Sequence, residues 1–495
     1  MINILPVFIL LPLGAGFVML LSHRIGRRLP AFICNAAVFF MMVMSFSLFF
    51  FRPVGSVMIF RTGCFPVIIG INLVLDGLSH LLLFTVNLVA FLIALYSVSY
   101  MARYTKKEKY YSLFMLMVAG MNGVILTGDL ISLFIFMELA AISGSALVAF
   151  GTESEELEAA FKYLVMGSVA SIFILFAMIL LYSLTGTTNM ADIAQSLPAG
   201  AYHAKMLISL LFLVGFGTKA AIIPFHAWLP DAHPAAPAPI SAMLSGVLIK
   251  ALGIYAIIRI FYNVLGMTNQ LSNVFMVFGV LSLLIGVIMA LGQWDFKRLL
   301  AYHSISQIGY ILLGLGVATP LGVLGALFHL FNHAIFKPLL FLTAGSVEYA
   351  TGTRQLKELG GLRQKMPVTA NTSLIASLAI SGIPPFNGFW SKLFIIIACI
   401  QAGRLWFALA AVIGSILTLS SFMKIQKYVF FGKLPARLRN TKESPWFMGT
   451  SMLTLALLCL VIGLLFPIFV SLIISPAVMS VAAGTGYAQL VLGGF

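Results

Sequence analysis

Residues Gly215 to Pro234 read G-F-G-T-K-A-A-I-I-P-F-H-A-W-L-P-D-A-H-P. Lys219 closes an apolar run here, and Pro224 follows shortly after. Proline removes a backbone hydrogen bond and breaks a helix. Inside a bilayer such a break is tolerated where protein or water covers the freed carbonyls. The signature returns at Ser381 to Lys392, S-G-I-P-P-F-N-G-F-W-S-K, now with the lysine after the break. Two interrupted apolar helices, each carrying a lysine, point to a membrane bundle that holds charge in its interior.

The rest of the chain agrees. Of its 495 residues, 61% are hydrophobic and 9% charged, against about 45–50% and about 25% in a soluble domain. A spanning helix needs about 20 apolar residues. Suitable runs lie near residues 3–21, 30–51, 78–100, 111–128, 130–150, 161–185, 204–224, 240–262, 271–292, 301–318, 321–347, 368–401, 405–430 and 447–475. The expected fold is an all-α polytopic membrane protein with about 14 transmembrane helices. Spans seven and twelve are broken, and a smaller apolar piece near 65–75 reads as interfacial. Cys34, Cys64, Cys399 and Cys459 are scattered with no C-x-x-C pair, so disulfide scaffolds, iron–sulfur clusters and zinc sites lack support.

The net charge of +15 follows from topology. With the N-terminus outside, basic residues crowd the inner loops: Arg24, Arg27 and Arg28; Arg103, Lys106, Lys107 and Lys109; Lys162; Lys297 and Arg298; Arg354, Lys357, Arg363 and Lys365; and Lys424 through Lys442. The outer side holds Arg52, Arg61, Lys205, Arg259 and Arg404. This asymmetry obeys the positive-inside rule and explains the charge without nucleic acid. The first run has its arginines after it, opposite in polarity to a secretory signal, so it reads as a first span. Both termini are then expected outside a prokaryotic inner membrane.

Lys219, Lys250, Lys337 and Lys392 remain inside apolar spans, as does Glu138 in F-I-F-M-E-L-A-A-I. Each such group costs at least about 2.5–3.5 kcal/mol on insertion scales. Snorkelling or structural ion pairing is the alternative use, the former weakest for Lys250 at mid-span. Lysine, unlike arginine, can release and regain a proton once desolvated, so a row of lysines with one glutamate is a proton-relay candidate. In L-F-H-L-F-N-H-A-I-F-K, residues His329, His333 and Lys337 share one helix face over about 12 Å. H-x-x-x-H also suits a metal, but Lys337 on that face and the lack of a nearby acid argue against one.

The two breaks lie five spans apart, an odd offset that reverses direction across the membrane. A-F-K-Y-L (Ala160 to Leu164) resembles I-F-K-P-L (Ile335 to Leu339) at the same offset. Helices 4–8 and 9–13 are therefore expected to be inverted repeats built around midplane ion sites. The expected divisions are residues 1–110, 111–262, 263–430 and 431–495.

These residues resemble a known family, the antiporter-like, proton-conducting membrane subunits of respiratory complex I, energy-converting membrane-bound hydrogenases and Mrp-type sodium/proton antiporters. The resemblance rests on M-E-L around Glu138, the stretch around Lys219, and P-I-S-A-M-L-S-G-V-L-I-K ending at Lys250. F-N-H-A-I-F-K-P-L-L-F-L-T-A-G and G-I-P-P-F-N-G-F-W-S-K complete it. It implies that Glu138 and Lys219 pair in a first half-channel and that Lys250 links them to the centre. His329, His333 and Lys337 would carry the central connection, and Lys392 would end the path on the outer side.

With no nucleotide fingerprint, flavin motif or cluster ligand set, no cofactor is expected in this chain and electron chemistry falls to partners. The leading expectation is a proton-translocating subunit of a redox-driven respiratory or hydrogenase complex, beside other membrane subunits and a peripheral iron–sulfur arm. The competing one is a subunit of an Mrp-type antiporter moving Na+ and H+ without redox chemistry. A membrane-embedded transferase would need an acidic metal cluster. The acidic run Glu153, Glu155, Glu156 and Glu158 reads instead as a solvated or partner-facing helix start.

Overall fold

Several helices of this chain begin after a short polar side chain. Asp76, Asp129, Thr268, Asp295 and Thr319 each accept a backbone N–H from the first turn of the helix that follows, satisfying donors that would otherwise face lipid. The computed structural model describes residues 4–22, 25–51, 53, 55–64, 70–198 and 200–493. Its elements run α1 (Val7–Ser22), α2 (Leu29–Phe51), β1 (Met58–Arg61), β2 (Asn72–Leu75), α3 (Gly77–Tyr100), α4 (Lys107–Leu126), α5 (Leu130–Val148) and α6 (Ser154–Thr185). There follow α7a (Tyr202–Ala220), α7b (Leu229–Ala235), α8 (Ala238–Val264), α9 (Asn269–Leu291), α10 (Phe296–Gly316) and α11 (Pro320–Thr351). The last are α12a (Pro367–Ser381), α12b (Asn387–Gln401), α13 (Leu405–Phe430), α14 (Trp446–Leu464) and α15 (Phe466–Ala482).

The chain is a multi-pass helical membrane protein. By length and composition its described helices give twelve crossings, or thirteen if the bent segment after α14 is one. The difference from the expected fourteen lies in α1, of 16 residues, and in the twelfth span, whose halves have 15 each. Two expectations are corrected. Within the all-α fold, one short hairpin stands where the sequence suggested an apolar interfacial piece: β1 and β2 pair antiparallel, Met58 opposite Leu75. Residues 65–69 of that piece, like Asn3, Arg24 and Arg52, lie outside the described residues. The fourteenth span does not run on to residue 475. It stops at Leu464, Pro467 lies in the first turn of α15, and the helix after α15 turns by 100°.

Two of the more polar helices, α10 and α11, are among the most buried. α8 and α10 are enclosed on every side and α11 nearly so, while α2, α6 and α13 line the periphery. In water a helix apolar all round goes inside; in a bilayer the logic inverts and polar side chains seek the interior. α9 and α10 meet backbone to backbone: a methyl group on Gly309 would lie 2.4 Å from the Leu283 nitrogen, the small-residue packing common between membrane helices.

One set of contacts occurs twice. The Leu130 N–H donates to the Thr188 carbonyl, and the Met190 N–H to that of Gly128, both at 2.9 Å. Phe296 donates to Arg354, and Leu356 to Trp294, again at 2.9 Å. The interval between matched positions is identical throughout. It also relates Asp129 to Asp295, each a helix cap, and Thr185-Gly186-Thr187 to Thr351-Gly352-Thr353. α6 and α11 have 32 residues each and end on the left-handed glycines Gly186 (φ 70) and Gly352 (φ 74). The two sets sit at opposite ends of the bundle, since Arg354 reaches Glu155 at the start of α6 at 2.6 Å while Thr188 follows its end. This register corrects the short text match. Lys162 is the ninth residue of α6 and Lys337 the eighteenth of α11, so A-F-K-Y-L and I-F-K-P-L are not equivalent.

Candidate functional site: a buried polar row

The first break follows Lys219 directly. α7a ends on Ala221 in the left-handed conformation, and residues up to Trp228 cross over to α7b. Lys219, 3% exposed in its side chain, meets Glu138 of α5 at 3.0 Å; Glu138 is 24% exposed. The Ser171 hydroxyl of α6 donates to the same carboxylate oxygen at 2.5 Å. The Trp228 indole donates to the Thr218 carbonyl at 2.9 Å, and its ring stacks on Tyr163. Beside the lysine, a cavity of about 10 Å³ reaches Leu248 and Leu252 of α8, close to the least volume that holds a water.

Lys250 lies between Leu248 and Leu252 on α8, fully buried, in π-helical turns over Leu244–Leu248 and Lys250–Tyr255. Such turns spare backbone carbonyls for other donors, and the Lys250 ammonium takes the Ser245 carbonyl. The Ser245 hydroxyl meets that of Ser304 on α10 at 2.7 Å. On α11, Lys337 donates to the Leu300 carbonyl at 2.5 Å. His329 sits between Ser391 of α12b at 3.0 Å and Gln307 of α10 at 3.2 Å, and its ring lies 6.5 Å from that of His333. Past the second break, Lys392 donates to the Ile380 carbonyl of α12a at 2.8 Å and lies over the Tyr310 ring at 4.5 Å. Tyr310 in turn packs 5.4 Å from His329.

The seven residues singled out from the sequence form a polar row from Glu138 on α5, which is part-exposed, to Lys392 on α12b, and the other six are buried. The row holds four amines and one carboxylate. Among the described residues, Lys250, Lys337 and Lys392 have no acid partner and rest on backbone carbonyls. Every member of the row is a proton donor or acceptor. Among the described residues no group of three His, Cys, Asp or Glu side chains could hold a metal.

Several buried polar residues escaped the sequence reading. Arg259, assigned to an outer loop, is 2% exposed inside α8 and grips Asp76 through two guanidinium contacts of 2.7 and 2.9 Å. Lys297, assigned to an inner loop, is buried and meets Glu348 at 2.7 Å. His233 on α7b and His303 on α10 are fully buried; His303 meets Ser421 at 2.8 Å. The usable signal for Arg259 was I-I-R-I-F, a charge flanked by apolar residues on both sides.

Residues 127–418, which include every member of the row, match the family described as NADH:quinone oxidoreductase/Mrp antiporter, transmembrane. The chain belongs to this family. Residues 66–115 match the N-terminus of chain 5 of NADH-ubiquinone oxidoreductase, complex I. NADH-quinone oxidoreductase subunit N of Desulforudis audaxviator is 38% identical over 372 residues, 74% of each chain. A chain of the Mrp complex from Dietzia superposes with a TM-score of 0.92 at 29% identity, covering 99% of both chains. A chain of the archaeal membrane-bound sulfane sulfur reductase, a respiratory membrane complex, gives 0.90 at 31% identity, over 99% of this chain and 100% of that one. Membership of the antiporter/oxidoreductase family fits the geometry, which sets ionisable groups inside the helices of the bundle.

Proposed function

We propose that this chain is the proton-translocating membrane subunit of a multisubunit, redox-driven respiratory or hydrogenase complex. The observation that carries this reading is the set of ionisable residues Glu138, Lys219, Lys250, Lys337, His333, His329 and Lys392, of which all but the part-exposed Glu138 are buried. Charge on one lysine is felt by the next, so displacing Glu138 from Lys219 alters the cost of protonating Lys250, and the effect passes along the row. The recurring contact sets support two inverted repeats over residues 111–262 and 263–430, flanked by 1–110 and 431–495. Each repeat would contribute one broken helix and one half of the path.

Redox chemistry would reside in partners, among them an iron–sulfur arm, as suggested by relatives from an NADH-quinone oxidoreductase and a sulfur reductase. The second reading, an Mrp-type antiporter subunit exchanging Na+ for H+, is favoured by the Dietzia structure. Either host lies in a prokaryotic inner membrane, with both termini of this chain outside.

The test uses the whole complex, purified and reconstituted into vesicles. Lys337→Ala is expected to abolish proton pumping while the complex still assembles. Lys337→Arg does not rescue it, because arginine cannot give up its proton. Normal pumping by the alanine variant overturns the relay. Identification of co-purifying subunits separates the two hosts: a redox arm supports the first, and membrane subunits alone support the second.

A further inference from the structure

A groove opens on the membrane-facing side between α7a and α9. Its upper part is a cavity of about 230 Å³ between Tyr202, Lys205 and Leu210 on one wall and Gln270 and Val274 on the other. A second cavity of about 390 Å³ continues it, sharing Leu210 and Val274, and ends against Phe278 and Phe225. The lower wall is nearly all apolar. The rim is not. Lys205 lies in the first turn of α7a, at headgroup rather than midplane depth, and is only partly exposed. Among the described residues no acid faces it. Beside it the Tyr202 hydroxyl accepts from the Gln270 amide at 3.3 Å, leaving its own proton free to donate.

We infer that this groove binds an anionic glycerophospholipid, with the phosphate at Lys205 and Tyr202 and one acyl chain lying over Leu210, Val274 and Phe278 as far as Phe225. Charge complementarity selects the head: the rim offers a cation and a hydroxyl donor, and no carboxylate. The apolar trough selects the tail, which a free phosphate lacks. Basic pockets between membrane helices hold anionic headgroups in this way. The tail would end on the crossover that follows Lys219. Phe225 packs against Gly217, where an added methyl group would come within 3.3 Å of its ring, and the Ile223 N–H is pinned to Ser282 of α9 at 3.0 Å. The lipid thus fills the gap between α9 and the broken helix and braces the break.

The test uses the intact complex carrying a photoreactive phenylalanine analogue at Val277, reconstituted in vesicles of equimolar phosphatidylglycerol and phosphatidylcholine. Irradiation is expected to yield an adduct enriched in phosphatidylglycerol. One lost cation near the membrane surface corresponds to about a fivefold fall in enrichment for Lys205→Ala. Lys205→Glu falls further, and Lys205→Arg restores capture. Val274→Trp, which fills the trough, removes adducts of both lipids while the complex stays assembled. Equal capture of the two lipids, capture unchanged in Lys205→Glu, or an adduct with a protein segment each overturns the proposal.

Discussion

The two breaks solve one electrostatic problem in different ways. At the first, Lys219 precedes the break and meets a carboxylate, Glu138, itself held by Ser171. At the second, Lys392 follows the break and, among the described residues, meets no acid: it donates to the Ile380 carbonyl and lies over the Tyr310 ring. That carbonyl lies in the last turn of α12a, where unpaired carbonyls carry the helix's partial negative charge. A helix end thus stands in for an acid. The difference is functional: a carboxylate can be protonated or swing away, whereas a backbone carbonyl can do neither. The first break thus holds its lysine through a group that can change charge, and the second through one that cannot.

The comparison breaks most sharply on charge removal. Glu138→Leu leaves Lys219 buried without its partner, and such losses cost about 3–5 kcal/mol. The exposed side of Glu138 places the effect at the lower end, measured as loss of assembled complex or of thermal stability. Adding Lys219→Met should restore assembly and leave pumping absent. Full pumping by the double variant would reduce the pair to a structural pin. At the other break, Lys392→Met should change stability by less than about 1.5 kcal/mol, a shape-conserving exchange, and still stop pumping. A loss as large as that of Glu138→Leu would show that the two lysines are held alike. Next in size is Ser171→Ala, which deletes a hydrogen bond to a charged group, worth about 1.5–3 kcal/mol. It should slow pumping per assembled complex and have no counterpart at the second break. The smallest effects are a matched pair. Gly186→Ala and Gly352→Ala force a methyl group into left-handed caps at about 1 kcal/mol each, and unequal losses in thermal unfolding would argue that the two caps are not equivalent.

Much of this was legible in the sequence because an ionisable residue inside an uncharged run needs no periodicity to be noticed. Lys219, Lys250, Lys337, Lys392 and Glu138 announce themselves, and proline marks both breaks. Arg259 and Lys297 did not, since they stand near the ends of their runs. Linear distance from a run's end cannot reveal a partner such as Asp76, 183 positions away. His233 and His303 were passed over because one histidine in a mixed stretch resembles any other polar residue; only packing shows them enclosed. The hairpin β1–β2 has strands of four residues, too short for an alternation to register. The internal recurrence was sought in A-F-K-Y-L, whereas the structure carries it in T-G-T and in the caps. These are short words with strong conformational meaning, because a left-handed glycine after a threonine closes a helix in the same way twice.

The doubled loop carries two different charges on one backbone pattern. At matched positions one copy has Ile131, Ser132 and Thr188, and the other has Lys297, Arg298 and Arg354. The aspartate cap is kept in both, and its oxygen is met at 2.5 Å by a neutral hydroxyl in the first and by a guanidinium in the second. The basic residues gather on one copy alone, and positive charge is the property by which the positive-inside rule separates retained loops from translocated ones. Two loops of one backbone pattern thus differ in the single feature that this rule weighs.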